Sequence, residues 1–414
     1  MTLSVTEIVA AKERIAGGIY HSPCPESIPL SEICRARVYC KLEYLQRTGS
    51  FKERGARNAL LLLEPKARQR GVISASAGNH ALGLAYHGSL LGIPVTVVMP
   101  RYAPLIKRTT CKRLGAEIVL HGETFGEAFD SANQMAADRG LTYIHGFDDP
   151  RIIAGQGTMG LEILEQVPDV QAIVIPVGGG GLAAGVAVAV KSLQPAVKLL
   201  GVEPERAAGF SASLAAGHVV KAPVKPTLAD GLAVGRVGAL AFQLAAPRLE
   251  RVVTVSEREL ALAMLRLAEL EKSVVEGAGA APLAALMNGK LPELDGLKTV
   301  MILSGGNVDP LVFSRVIEKA LVADGRLCRF TAVVTDRPGG LARLTGIIAE
   351  AGASIQELVH DRAFSGSDLA AANVLCTVET ADAAHVNELY AALRSAGIEV
   401  VPHRVLNGEM PIGK

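Results

Sequence analysis

The chain has 414 residues, 49% of them hydrophobic and 20% charged, with a formal net charge of +1. That length exceeds one ordinary core and points to two or three domains, and the composition is that of a globular chain, not a disordered one. Balanced charge leaves no basic excess to hold a nucleic-acid backbone or an anionic membrane, so the expected partner is a small molecule. The opening stretch MTLSVTEIVAAKERIAGG carries charges where a secretory signal needs its apolar run, and the apolar segment GLAAGVAVAVKSL is short and cut by Lys191. Cys24, Cys34, Cys40, Cys111, Cys328 and Cys376 form no C-x-x-C pair and have no histidine cluster beside them. They read as reduced structural thiols in a cytoplasmic protein.

The first informative stretch is KLEYLQRTGSFKERGARNALL, centred on Lys52. Lys52 follows Ser50 and Phe51 and opens a helix-like run. A catalytic lysine must work near neutrality although its free pKa is about 10.4, and burial or covalent attachment achieves this. A surface lysine at a helix start would look the same. From about residue 70, strand-like runs alternate with amphipathic helices: 71–76, 94–100, 116–122, 141–147, 171–177, 197–204, 249–256 and 297–304. Near-continuous apolar strands between helices predict parallel sheets covered on both faces, an α/β architecture with ligands at the carboxyl ends of the strands.

Three of those strand ends carry unusual loops. After 71–76 comes Ser76, Ala77, Gly78, Asn79 and His80, a turn whose backbone amides, at a helix start, can hold a carboxylate. After 171–177 come four glycines, Gly178, Gly179, Gly180 and Gly181, where backbone N–H groups can surround a phosphate. No G-K-[ST] follows, which disfavours a nucleotide P-loop. Gly178-x-Gly180-x-x-Ala183 also fits the dinucleotide fingerprint, with Glu203 at the end of the next strand, so an NAD-linked oxidoreductase stays open at this stage. After 297–304 comes SGGN, where the Ser304 hydroxyl could meet a heteroaromatic nitrogen. Each loop taken singly is also what an ordinary turn looks like.

After about residue 325 the rhythm becomes β-α-β-β-α-β, the ferredoxin-like order, with VADGR at 322–326 as the joint.

Taken together, T-G-S-F-K, S-A-G-N-H, G-G-G-G and S-G-G-N-V-D, with IAGQGT (Ile153 to Thr158) and LADG (Leu228 to Gly231), resemble the threonine/serine dehydratase family over about residues 8–320. That resemblance implies a fold type II pyridoxal-phosphate (PLP) enzyme, tryptophan-synthase-β-like, with two open parallel-sheet domains. Residues 1–46 with 149–322 would form the large PLP-binding domain, and 47–148 the small one. The tail, 326–407, resembles an ACT regulatory domain, with an effector loop at Asp336, Gly339, Gly340 and Leu341. The implied activity is the dehydration and deamination of L-threonine to 2-oxobutanoate and ammonia, with L-serine or 3-hydroxyaspartate as alternative substrates. By the same resemblance Lys52 links to the cofactor aldehyde and takes the Cα proton, and Phe51 packs beside the pyridine ring. Asn79 bonds the ring oxygen, Gly178 to Gly181 hold the phosphate, and Ser304 meets the ring nitrogen. The turn from Ser76 to His80 binds the substrate carboxylate.

Two departures carry expectations. Serine racemases have serine where this chain has Ala77, so racemisation should be weak or absent. Relatives hold a cation with residues matching Glu203 and Ala207 and an acidic residue two places on, where this chain has Gly209. No divalent metal is therefore expected, and a monovalent ion near Glu203 and Ala207 stays open. A homodimer or homotetramer with an amino-acid effector is expected, while isoleucine biosynthesis and threonine breakdown are not distinguished.

Overall fold

A computed structural model describes residues 3–362 and 370–403. The chain divides into two compact units, Met1–Pro310 and Leu311–Lys414. The first holds two parallel sheets. One consists of β1 (Arg37–Leu42), β6 (Ala172–Pro176), β7 (Lys198–Pro204), β8 (Arg251–Val255) and β9 (Lys298–Leu303), in the order β1-β9-β6-β7-β8. The other consists of β2 (Val72–Ala75), β3 (Val95–Met99), β4 (Glu117–Leu120) and β5 (Thr142–Tyr143), in the order β4-β3-β2-β5. The β-branched runs read from the sequence form these strands because both sheet faces are covered: β3 and β6 are buried at every position.

Helix starts follow local chemistry. Thr124 and Ser256 close capping boxes with Glu127 and Glu259. Asp149 caps the helix Pro150–Gln166, accepting the N–H of Arg151, with proline at the first turn.

Two departures from the sequence reading have physical causes. The run 141–147 yields only two strand residues, because its pairing with β2 ends at Ile73–Tyr143 and the chain then turns away. Conversely, β1 is a full strand with no apolar signature, since RVYCKL puts Lys41 in a fully buried position. Lys41 is accommodated by a closed ionic network. Its Nζ donates to Glu162 (2.6 Å), to the carbonyl of Ser22 (2.7 Å) and to Gln166 (2.9 Å). Arg54, also fully buried, donates two bonds to Glu43 (2.8 and 2.7 Å), two to Glu162 (2.7 and 2.8 Å) and one to Thr158 (3.1 Å). Burial alone would lower the pKa of Arg54, but Glu43 and Glu162 outweigh it and raise the value. Burial would likewise raise Glu162, yet the two cations hold it down at about 2. Two cations and two carboxylates balance, as burial of charge requires.

The chain crosses between the two sheets twice. One crossing, Thr48–Lys52, leads into the helix Lys52–Leu61; the other, His145–Asp149, leads from β5 into the helix Pro150–Gln166.

The second unit takes up the helix Pro310–Ala323 from its second residue, then β10 (Leu327–Thr335), the helix Gly340–Glu350, β11 (Ser354–Asp361), β12 (Ala371–Glu379), the helix Ala383–Ser395 and β13 (Glu399–Pro402). The antiparallel order β11-β12-β10-β13 is the ferredoxin-like arrangement expected from the sequence. Its core gathers Phe330, Val374, Leu344 and Leu389. The polar turn SGSD (365–368) and residues 404–407 of the expected module lie outside the described residues.

Candidate active site

The loops that follow β2, β6 and β9 stand at the carboxyl ends of their strands, where open α/β sheets bind ligands. The first crossing is stitched to the β9 loop. Phe51 N–H donates to the Ser304 carbonyl (3.0 Å), Gly306 N–H donates to Gly49 (2.9 Å), and Ser50 bridges Gly305. Lys52, Phe51 and Ser304, far apart in sequence, are thus neighbours.

Lys52 is the first residue of its helix, and its Nζ donates to the carbonyl of Gly146 (2.7 Å). The same nitrogen lies 5.2 Å from the centroid of the Phe51 ring. Burial lowers its pKa from 10.5 to about 8, and Glu276 only partly opposes this. At pH 7 a free-amine pool about 300-fold larger than that of an ordinary lysine follows from such a value. The rate at which cofactor-free protein captures pyridoxal phosphate should therefore rise about fivefold from pH 7 to 8 and level off above 9. Stopped-flow absorption measures this, and a rate still climbing tenfold per pH unit at pH 9.5 would contradict it.

Asn79 opens the helix Asn79–Leu91. Its amide donates to Glu276 (2.8 Å), and its oxygen accepts from Asn307 (2.9 Å), which also donates to the Thr48 carbonyl (2.6 Å). Glu276 N–H in turn donates to the Gly305 carbonyl (3.0 Å). Burial, with Asp230 adding to it, raises the Glu276 carboxyl to about 7, so a proton can be held or released here at neutral pH. Asp230 itself pairs with Lys107 of the small sheet's lobe (2.9 Å). Sequence reading missed Glu276. Its signal was a lone acid heading GAGAAPLAALM, a helix apolar on all sides and therefore buried with its leading residue.

His80 is buried, its Nε2 facing the Ile144 carbonyl at 3.2 Å, and burial pushes its pKa down to about 3, so the ring is neutral. Gly78 caps the helix at φ −132°, and a Cβ added there would meet nothing within 4 Å. The protein's own packing leaves that space open, as a carboxylate-binding turn requires. Gly78→Ala should therefore leave the melting temperature within about 2 °C and raise the substrate KM at least about tenfold by filling that space. An unchanged KM would argue against carboxylate binding at this turn.

The glycine quartet behaves differently. A Cβ on Gly179 would lie 2.3 Å from the Phe147 ring, and one on Gly181 would lie 2.4 Å from the Phe147 carbonyl. Internal packing thus demands these glycines as much as an anion would. The loop ends at the start of the 13-residue helix Gly181–Leu193, whose first amides and dipole favour an anion.

These features meet the needs of pyridoxal phosphate. Lys52 offers a largely deprotonatable amine, Phe51 an apolar wall, the glycine loop an anion cradle, and buried Ser304 a neutral group at the end of β9.

Other sequence-predicted residues lie elsewhere. Both Glu203 oxygens accept backbone N–H groups, from Phe210 (2.9 Å) and Ser211 (2.8 Å), so this carboxylate caps the helix Gly209–Ala216. Ala207 sits in the short turn before it. Among the described residues no group of three or more His, Cys, Asp or Glu could hold a metal ion. The six cysteines form no disulfide, and burial pushes the thiols of Cys24, Cys34 and Cys376 up to about 12. In the second unit Asp336 accepts Arg362 Nε (3.0 and 2.9 Å), Gly339 has φ +96°, Gly340 opens a helix, and Leu341 is exposed. No helix among the described residues is long and apolar enough to cross a membrane.

Residues 15–305 match the family described as pyridoxal-phosphate dependent enzyme. The chain is 44% identical to the L-threonine ammonia-lyase of Thermotoga maritima over 398 residues, which cover 96% of this chain and 99% of that one. The processed form of threonine deaminase isoform 2 from Solanum lycopersicum superposes with a TM-score of 0.73 at 38% identity, covering 76% of this chain and 92% of that one. The serine racemase of Dictyostelium discoideum does so with a TM-score of 0.71 at 35% identity, covering 75% and 100%. A match of residues 15–305 to that family and 44% identity over nearly the whole length of an L-threonine ammonia-lyase lead to one conclusion: the chain belongs to the threonine dehydratase family of pyridoxal-phosphate dependent enzymes.

Proposed function

We propose that the protein is a PLP-dependent L-threonine ammonia-lyase, forming 2-oxobutanoate and ammonia. The observation that carries this reading is the amine of Lys52, half-buried beside Phe51 and stitched through its loop to Ser304, in a chain 44% identical to an L-threonine ammonia-lyase. When bound, pyridoxal phosphate supplies an electron sink for the bonds at Cα. The chain's residues do the rest. Lys52 would hold the cofactor and, once released from it, accept the Cα proton on an amine that burial makes easy to deprotonate. The amides of the turn from Ser76 to His80 bind the substrate carboxylate, and Gly78 leaves it room. Asn79, held between Glu276 and Asn307, would bond the ring oxygen, and Gly178 to Gly181 would hold the phosphate. Loss of the β-hydroxyl gives an enamine product whose hydrolysis yields the 2-oxo acid and ammonia.

Ala77 supports elimination over racemisation, because a methyl group cannot deliver a proton to the opposite face of Cα. Ala77→Ser should turn on slow D-serine formation from L-serine, absent in the parent protein, as read by chiral chromatography. A parent enzyme that already racemises serine would refute this role.

The ferredoxin-like second unit supports an ACT-like regulatory role, with an amino-acid effector at the loop from Asp336 to Leu341 and assembly into a homodimer or homotetramer. The composition and six unpaired thiols support a cytoplasmic location. The test of the main reading is a side-by-side kcat/KM for L-threonine, L-serine and 3-hydroxyaspartate, with 2-oxo acid release as the signal. Threonine is expected to lead, and a tenfold preference for either competitor would overturn the assignment.

A further inference from the structure

The second crossing, His145–Asp149, is held by neither sheet, and its shape derives from one side chain. His145 Nδ1 lies 2.9 Å from the backbone nitrogen of Asp148 and 3.3 Å from that of Phe147, accepting from both. An accepting ring nitrogen carries no proton, so the hydrogen sits on Nε2 and the ring is neutral. The ring is wedged among Phe147 (4.5 Å between centroids, edge-on), Phe129 (6.2 Å) and Tyr143 (6.3 Å). Its charged neighbours are Asp148 and Asp149, which favour a proton, and Lys52, which opposes one; burial decides for the neutral form.

Three contacts radiate from this turn. The Gly146 carbonyl, one residue on, accepts the Lys52 amine at 2.7 Å. The Phe147 ring fills the space a Cβ on Gly179 would need. The Asp148 carboxylate accepts from Ala239 (2.9 Å) and Ala241 (3.0 Å) at the start of the helix Ala239–Ala245, and the preceding Gly238 donates to the Gly179 carbonyl (3.0 Å). One turn therefore touches both the amine and the anion loop.

We propose that His145 is a positioning residue for the cofactor: by accepting two successive amides it aims the Gly146 carbonyl at Lys52 and sets Phe147 beneath the glycine loop, fixing the separation between the amine and the phosphate cradle. This rests on Lys52 being the cofactor-linked amine, and not on which amino acid is turned over.

Two near-isosteric variants of the full chain test it. His145→Asn keeps an acceptor at the position of Nδ1, where Asn side chains commonly bond backbone N–H groups two residues on; His145→Gln moves its acceptor out to the position of Nε2. Each is stripped of cofactor and titrated with pyridoxal phosphate, reading Kd by visible absorption, the visible circular dichroism per bound cofactor, and the melting temperature. Asn should stay within threefold of the parent Kd with its dichroism retained. Gln should weaken binding at least tenfold and at least halve the dichroic signal, at a melting temperature within a few degrees of the Asn variant. Equal behaviour of the two variants, whether both intact or both impaired, would overturn the proposal. None of these readouts needs threonine turnover, so a failed substrate assignment would leave them interpretable.

Discussion

Replacing Lys52 with alanine should lower 2-oxobutanoate formation from threonine at least about a thousandfold, because one side chain supplies both the cofactor link and the base for the Cα proton. The visible absorption of lysine-linked pyridoxal phosphate should vanish with it. The fold should not suffer. The amine makes one hydrogen bond, to Gly146, and its pKa falls from 10.5 to about 8 on folding. The folded protein therefore binds fewer protons than the unfolded chain between those values, so stability falls as pH drops through that window, and the full cost is present below about 8. Removing the amine removes this cost, so with cofactor stripped from both proteins the variant's melting temperature at pH 7 should equal or exceed the parent's. Turnover above a tenth of the parent rate would eliminate Lys52 as the base, whatever the spectrum shows.

Arg54→Met should be the most damaging substitution outside the chemistry. The variant leaves Glu43 and Glu162 buried with Lys41 as the remaining cation, and of these two carboxylates Lys41 bonds Glu162 alone. Removing one partner of a buried ion network costs about 3–5 kcal/mol, since a buried carboxylate is left uncompensated. For a unit of this size that corresponds to a drop in melting temperature of order 10 °C. Arg139→Met breaks only the exposed pair with Glu117 and should cost less than about 1 kcal/mol. Differential scanning fluorimetry separates the two, and equal shifts would mean that the buried network contributes nothing special. Arg54 lies two residues beyond Lys52 on the same helix, so cofactor content should fall together with stability.

Much of this was legible in the chain because parallel strands write themselves as unbroken apolar runs, and because β2, β6 and β9 each end in a loop whose composition fits a ligand. The ferredoxin-like tail was legible from element order alone. What escaped has specific causes. Strand β1 was hidden by Lys41, whose burial depends on Glu162, a residue 121 positions away; no local pattern encodes such a partner. The short β5 was overread, since hydropathy along LTYIHGF does not show that a histidine nitrogen will claim the amides two and three residues further on. The glycine quartet was read as an anion loop, and the demand that Phe147 makes on Gly179 and Gly181 became visible only with both segments in place. Glu276 was passed over because an acid before an apolar helix looks like an ordinary start, whereas its side chain reaches Asn79.

The two tethers joining the lobes converge on a single nitrogen: Lys52 ends one, and Gly146, which grips its Nζ, lies in the other. Any change in the spacing of the two crossings must therefore either stretch the Lys52 side chain or break its bond to the Gly146 carbonyl.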